Sequence, residues 1–204
     1  MNNNNILKGI FCIIIAGFGF ALMSLFVKLS GDLPSMQKGF FRNIIAVFIS
    51  SIPLIKHWRV INIPRNNTGW LVLISRSVFG TIGLVLNFYA ISHISLADSS
   101  IIQKLSPFII LILSYIFFKE EMTRFQVFAI IIAFIGIIFI IKPSGNDIIS
   151  LGALAALLGA LCSGIAYTCV RYLGTHNISG EFIIFFFSSL SSLMLLPYLI
   201  LDYR

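Results

Sequence analysis

Charge is what this sequence has least of. Lysine, arginine, aspartate and glutamate make up 10% of the 204 residues, whereas 58% are hydrophobic; a soluble domain has about 25% charged residues. The mean hydropathy is +1.01. A water-soluble fold of this length has a large wet surface that polar side chains must cover. The shortage excludes a soluble globular domain and predicts that the lipid bilayer is the solvent of this chain.

Signatures of catalysis and metal binding are also missing. The three histidines, His57, His93 and His176, fall between apolar runs, and the three cysteines form no C-x-x-C pair. There is no H-E-x-x-H, no G-x-S-x-G and no apolar run with paired aspartates. A retinal protein would need a lysine in its last helix, and residues 181–201 contain none. We therefore expect no enzyme, no catalytic residue, no metal and no cofactor.

The basic residues do not indicate nucleic acid, although the net charge is +7. They lie mostly singly between apolar runs, which is typical of anchors at a membrane surface. Seven of them fall on the side of the predicted N-terminus and five on the other side. The early basic loop with Lys56, Arg59 and Arg65 belongs to the richer side, so we expect a multi-pass protein of the cytoplasmic membrane with its N-terminus in the cytoplasm.

Seven apolar runs are long enough to cross a hydrocarbon core, which takes about 20 helical residues. Without water at depth, such runs must be helices or a closed barrel, and they lack the alternation of barrel strands. The sequence therefore predicts an all-α membrane protein of about seven transmembrane helices. They cover residues 7–28, 38–56, 71–92, 97–118, 124–142, 151–172 and 181–201.

An internal repeat relates the first span to the sixth. A shift of 143 residues places Gly9 on Gly152, Val27 on Val170, and several small residues on one another. Five spans lie between the start of one copy and the start of the other, so the second copy enters the membrane upside down. Inverted repeats are typical of secondary transporters, whose substrate site lies between the two copies. A duplicated bundle without a transport role is the alternative.

Four stretches of the chain resemble the EamA-type module of the drug/metabolite transporter superfamily. They are Tyr89-Ala-Ile within residues 87–92, Ser99 to Pro107, Glu120 followed by Thr123, and residues 136–143. The resemblance implies a complete five-helix module over residues 1–145 and the first two helices of an inverted second module over residues 146–204. It also implies a secondary transporter that moves small metabolites by alternating access. Because three more helices would complete the pattern, the alternative is an inactive or scaffold-like fragment whose missing helices come from a homodimer or another partner.

Lys104 is the leading candidate for the substrate pathway, because a charge at the centre of a membrane helix costs about 2.5–3.5 kcal/mol. It lies about seven residues into the fourth predicted span, beside Gln103 and just before Pro107. A substrate anion would account for it; a side chain that snorkels to the outer interface is the alternative. Arg76, a few residues into the third span, is interpreted as snorkelling to the inner interface.

The other pathway candidates are polar or aromatic residues at plausible depth in predicted spans. Arg42 stands where the family commonly has a basic residue, and an interfacial anchor is its alternative interpretation. For the rest, helix packing is the alternative. These remaining candidates are Phe20, Ser24, Asn87, Tyr89 and Tyr167.

Overall fold

The fold was analysed in a computed structural model that describes residues 3–56, 61–141 and 151–201. Within these ranges the chain forms helices joined by short connections, and no strand is present. The helices are α1 Asn3–Leu29, α2 Ser35–Lys56, α3 Asn67–His93, α4 Leu96–Gln103, α5 Ser106–Phe118, α6 Arg124–Ile141, α7 Leu151–Thr175 and α8 Gly180–Leu201.

The prediction of an all-α membrane protein is confirmed. Six spans in the described residues are long and apolar enough to cross a membrane, with Leu96–Phe118 counted as one, and Arg124–Phe139 is a shorter apolar helix. The boundary predicted between the two modules, at residues 145 and 146, and the basic residues Arg59 and Lys142 lie outside the described ranges.

The fourth predicted span is two helices rather than one. Pro107 has no amide hydrogen, and its ring would clash with the carbonyl four residues earlier, which belongs to Gln103. The helix ends at that residue, and the next two amides tighten to shorter turns: Lys104 N donates to Ile101 O and Leu105 N to Ile102 O, both at 3.0 Å. A new helix then starts with proline in its first turn, a position that proline favours.

Two lysines hold several helix ends together at one end of the bundle. Lys28 Nζ donates to the carbonyls of Ile91 at 2.7 Å and Ile94 at 2.9 Å, where α3 ends. Lys38 Nζ donates to the carbonyl of Gly31 at 2.9 Å, just after α1. A positive charge at a helix C-terminus also opposes the helix dipole favourably. We call this the α1–α2 end; α1 and α3 end here, while α2 and α4 begin here.

Helix α7 lies at the centre of the bundle, in contact with α3, α4 and α5. Gly83 of α3 and Gly159 of α7 face each other so closely that a Cβ on Gly83 would lie 3.2 Å from the carbonyl oxygen of Gly159. On another face of α7, a Cβ on Gly164 would lie 2.5 Å from Ile109 of α5. Small residues let helix backbones approach closely, and they do so in α7, whereas Gly17 of α1 has nothing within 4 Å of its Cβ position.

Helix α8 packs antiparallel to α2. Asn43 Nδ2 donates to Ser191 Oγ at 2.6 Å, and both residues are fully buried. Since α7 begins at the α1–α2 end, where Gly152 lies against Ile94, α7 and α8 run opposite to α1 and α2. Each of the two 22-residue helices α2 and α8 also carries a proline near its end, Pro53 and Pro197.

Helix α1 is the least covered helix of the bundle. Only 6% of its apolar window is buried within the chain, compared with 44% for α7. It packs mainly against α3 and the short α4, and Lys38 of α2 donates to the carbonyl of Val27 near its C-terminal end at 3.2 Å. Most of its surface is therefore available to lipid or to another helix.

A pair of glycine substitutions tests the packing of α7. We expect Gly83→Ala to lower the free energy of unfolding by about 1–3 kcal/mol, the usual effect of overpacking, because its methyl group would press on backbone atoms of α7. Gly17→Ala is the matched control. It should be neutral or stabilising by up to about 1 kcal/mol, since alanine favours helix more than glycine does. Thermal unfolding of both variants in detergent measures the difference; equal midpoints would contradict the packing.

Candidate functional site

The break between α4 and α5 lies inside the span and contains two of the predicted pathway residues. Gln103 Nε2 donates to Ser163 Oγ of α7 at 3.0 Å. Its Oε1 atom is buried and has no hydrogen-bond partner. Lys104 follows directly, with an exposed side chain. The break thus presents an unpaired buried acceptor and an exposed ammonium group side by side.

The guanidinium group of Arg76 turns towards the middle of the membrane. It lies over the ring of Phe187 of α8, with Cζ 4.2 Å from the ring centroid. Nη1 rests against Gly80, one turn further along α3, where any Cβ would clash with it. Because α3 begins at the opposite end of the bundle from the α1–α2 end, this direction leads away from the nearer interface. The expectation that Arg76 snorkels to that interface is wrong.

Arg42 and Tyr167 lie near this guanidinium. Arg76 Cζ is 6.0 Å from the centroid of the Tyr167 ring on α7. Arg42 reaches the same part of the bundle through the next residue, Asn43, whose side chain meets Ser191 of α8, one turn after Phe187. Arg42 Nη1 also donates to Asn43 Oδ1 at 2.8 Å. The structure thus brings two predicted residues, Arg42 and Tyr167, together with Arg76 in one place.

No carboxylate accompanies this arginine pair, by which we mean Arg42 and Arg76. Helices α2, α3 and α7 contain no aspartate or glutamate, and the only one in α8 is Glu181 in its first turn. Within the described residues the one ion pair joins Arg171 to Glu120 at 2.6 Å. That pair connects exposed groups at the ends of α5 and α7, so Glu120 contributes to helix packing there.

The remaining predicted residues lie elsewhere. Asn87 is half-buried on α3, and its backbone nitrogen lies 3.3 Å from the Cβ position of Gly159. Ser24 Oγ donates to the carbonyl of Phe20 within α1 at 3.0 Å. The Phe20 side chain is 52% exposed on the outside of the bundle. Among the described residues, no hydrogen bond or ring contact joins Phe20 or Ser24 to the arginine pair.

Tyr89 lines a cavity at the α1–α2 end. Its ring stacks on His93 with centroids 3.9 Å apart. The cavity has a volume of about 500 Å³, and the connection between α1 and α2, the last turns of α3 and Tyr198 of α8 line it. This volume falls within the range of small-molecule pockets, roughly 300–1,000 Å³. The cavity opens at the membrane surface and does not include the arginine pair.

Three residues of the site were missed in the sequence: Arg76 as an inward-facing group, Phe187 and Ser163. Gly80 is the one sequence feature that could have indicated the direction of Arg76, because a glycine one turn after an arginine leaves room for the arginine side chain to lie along its own helix. Phe187 stands in a run of three phenylalanines, and nothing in that run distinguishes the ring that meets Arg76.

Known proteins similar to this chain are transporters. The model of the EamA-like transporter family matches residues 7–142. The pseudopaline exporter CntI of Pseudomonas aeruginosa strain UCBPP-PA14 is 30% identical over 197 residues, which is 96% of this chain and 68% of the exporter. Solute carrier family 35 member G1 of Mus musculus is 28% identical over 178 residues, 81% of this chain and 48% of the carrier. No solved structure matches the chain.

Another relative, an uncharacterized transporter of Helicobacter pylori strain J99, is 28% identical over 170 residues and has 56% of its length covered. The chain thus spans between about half and two thirds of the length of these relatives. The family and these relatives are transporters and not enzymes, which agrees with the absence of catalytic motifs. The chain belongs to the EamA-like transporter family and, through it, to the drug/metabolite transporter superfamily.

Proposed function

We propose that this protein is a secondary transporter that moves a small metabolite across the cytoplasmic membrane by alternating access. The main support is the broken fourth span. Gln103 is the eighth residue of α4, about 10 Å from the start of that helix at 1.5 Å per residue. Transporter sites lie near the midplane, where interrupted helices free polar groups for the substrate, and Gln103 Oε1 is such a group.

Inverted repeats are the second part of the proposal. Modules 1–145 and 146–204 would correspond to α1–α6 and to α7–α8. The reversed directions of α7 and α8 relative to α1 and α2 support this division, and so do Pro53 and Pro197 at similar places in α2 and α8. The name of the Pseudomonas relative, an exporter, supports movement out of the cell, with the N-terminus in the cytoplasm.

Transport and the role of Lys104 are tested in one assay. Proteoliposomes with the purified chain are supplied with labelled amino acids and nucleosides under imposed proton and substrate gradients. We expect uptake or exchange of at least one compound. Lys104→Ala should lower it about tenfold or more, because a hydrogen bond to a charged group contributes about 1.5–3 kcal/mol. Lys56→Ala, which removes an exposed lysine at the end of α2, is the matched control and should transport normally.

The two parts of this proposal fail separately. If the folded protein moves no compound under any gradient, the transport role is wrong. If uptake proceeds and Lys104→Ala has the kinetics of the wild type, Lys104 is outside the pathway, and its exposed side chain only reaches towards the interface.

A second candidate is a module that functions only with a partner, which we propose to be a second copy of the chain. The low coverage of α1, 6% of its apolar window, favours this candidate, because a helix face of that extent is available for packing. The partner would supply helices that cover α1.

Cys12 allows a direct test of this dimer, since it is exposed on α1. In membranes, a thiol cross-linker should join two chains of the wild type, and Cys12→Ser should abolish the product. Cys162→Ser and Cys169→Ser are the matched controls, since those thiols lie in α7 and are partly buried; they should cross-link normally. If cross-linking disappears when the protein is diluted with lipid, or never occurs, the second copy does not cover α1.

A further inference from the structure

We propose that the arginine pair, Arg42 and Arg76, binds a carboxylate group of the transported solute, so that the substrate class is an organic anion. This inference rests on the proposed transport function and names the substrate for it. The predicted pathway residue Tyr167 belongs to the same site, whereas Lys104 and Gln103 lie at the helix break.

Both arginines lie deep in the membrane. Arg42 is the eighth residue of α2, about 10 Å along that helix, and Arg76 is the tenth residue of α3, about 14 Å along a helix that runs the opposite way. A hydrocarbon core is about 30 Å thick. Both side chains therefore leave their helices away from the edges of the hydrocarbon core, where an unpaired charge is costly.

The protein itself does little to offset this cost. The ring of Phe187 under Arg76 makes one cation–π contact, and the side-chain amide of Asn43 accepts one hydrogen bond from Arg42. Among the described residues neither guanidinium has an ion-pair partner. With no acidic residue in α2, α3 or α7, an anion from outside the chain is the natural counter-charge.

Arg76 and the stretch of α8 that packs against it carry hydrogen-bonding groups that have no partner among the described residues. Arg76 Nε is buried and makes no hydrogen bond. On α8, the buried Ser188 Oγ and Ser192 Oγ are unpaired as well, and they are the residues next to Phe187 and Ser191. Tyr167 of α7 is 46% exposed, so the described helices leave part of its side chain uncovered. Buried polar groups are normally paired, and four helices here present groups that a polar ligand would pair.

The geometry of Arg76 favours a planar anion. Phe187 covers one face of the guanidinium, and Gly80 lets the side chain lie flat along α3. Among the described residues, no acceptor pairs the in-plane N–H groups, and Nε is buried without a partner. A carboxylate matches this fork with two parallel hydrogen bonds. The planar fork and the stacked ring thus favour a carboxylate over a point-like partner.

The side chains of a ligand-binding site should not stabilise the protein when the ligand is absent. We expect Arg76→Met, which keeps an unbranched apolar side chain and removes the guanidinium group, to unfold in anion-poor buffer at a temperature no lower than the wild type. Arg171→Met is the matched control and should unfold at a lower temperature, because Arg171 bonds to Glu120 and to Ser114. If Arg76→Met loses as much stability as the control, Arg76 is a structural residue and the proposal is wrong.

Binding is measured on the full chain in nanodiscs of neutral phosphatidylcholine. Succinate should raise the unfolding temperature of the wild type, and its neutral diamide, succinamide, should not. Arg76→Met and Arg42→Gln should each need at least tenfold more succinate for the same shift. Arg65→Gln removes an arginine that is exposed between α2 and α3, and it should respond like the wild type.

The same titration identifies other sources of the anion. If inorganic phosphate raises the unfolding temperature in an arginine-dependent way and succinate does not, the carboxylate assignment is wrong. If only phosphatidylglycerol in the nanodisc does so, the ligand is a lipid headgroup and the solute site is wrong. No shift with any anion overturns the proposal even if the liposomes transport a compound. An arginine-dependent shift with succinate but no transport supports the anion site and overturns the transport function.

Discussion

The close approach of α3 and α7 is the contact on which the interior of this bundle depends. Gly83 and Gly159 allow the two backbones to meet, and two side chains of α7 that reach the candidate site follow directly after Gly159 on that helix. Ser163 then reaches Gln103 at the helix break, and Tyr167, one turn later on α7, comes beside Arg76. Larger residues at the two glycines would move both groups away from the middle of the bundle.

The positive charges divide into two kinds according to their depth. At the α1–α2 end, Lys28 and Lys38 donate to helix carbonyls, so these lysines serve the fold. At mid-depth, Arg42 and Arg76 have an aromatic ring and an amide as neighbours but no carboxylate. Basic side chains are thus hydrogen-bonded to carbonyls where the helices end, whereas those at the depth where a solute would cross have no acidic partner among the described residues. This contrast is what separates anchors from a binding site.

The sequence predicted the spans well because hydropathy is a local property, and the helix bounds differ from the predicted runs mainly at their ends. The sequence did not predict the break at Lys104. Proline in a membrane helix can produce either a kink or a break, and Pro107 is compatible with both. The direction of Arg76 was predicted wrongly for a different reason. That direction depends on Phe187, more than a hundred residues away in the chain, and on the empty space at Gly80.

The polar links between helices are weak enough to permit movement around the site. Among the described residues, Asn43 to Ser191 joins α2 to α8, and Gln103 to Ser163 joins α4 to α7. Such bonds average about 0.6 kcal/mol in membrane bundles, and apolar packing between helices is as favourable after a small shift as before it. Both bonds cross between the two proposed modules at mid-depth. A ligand that bridges the arginines of α2 and α3 and the tyrosine of α7 would therefore change which arrangement of these helices is more stable, which is what alternating access requires.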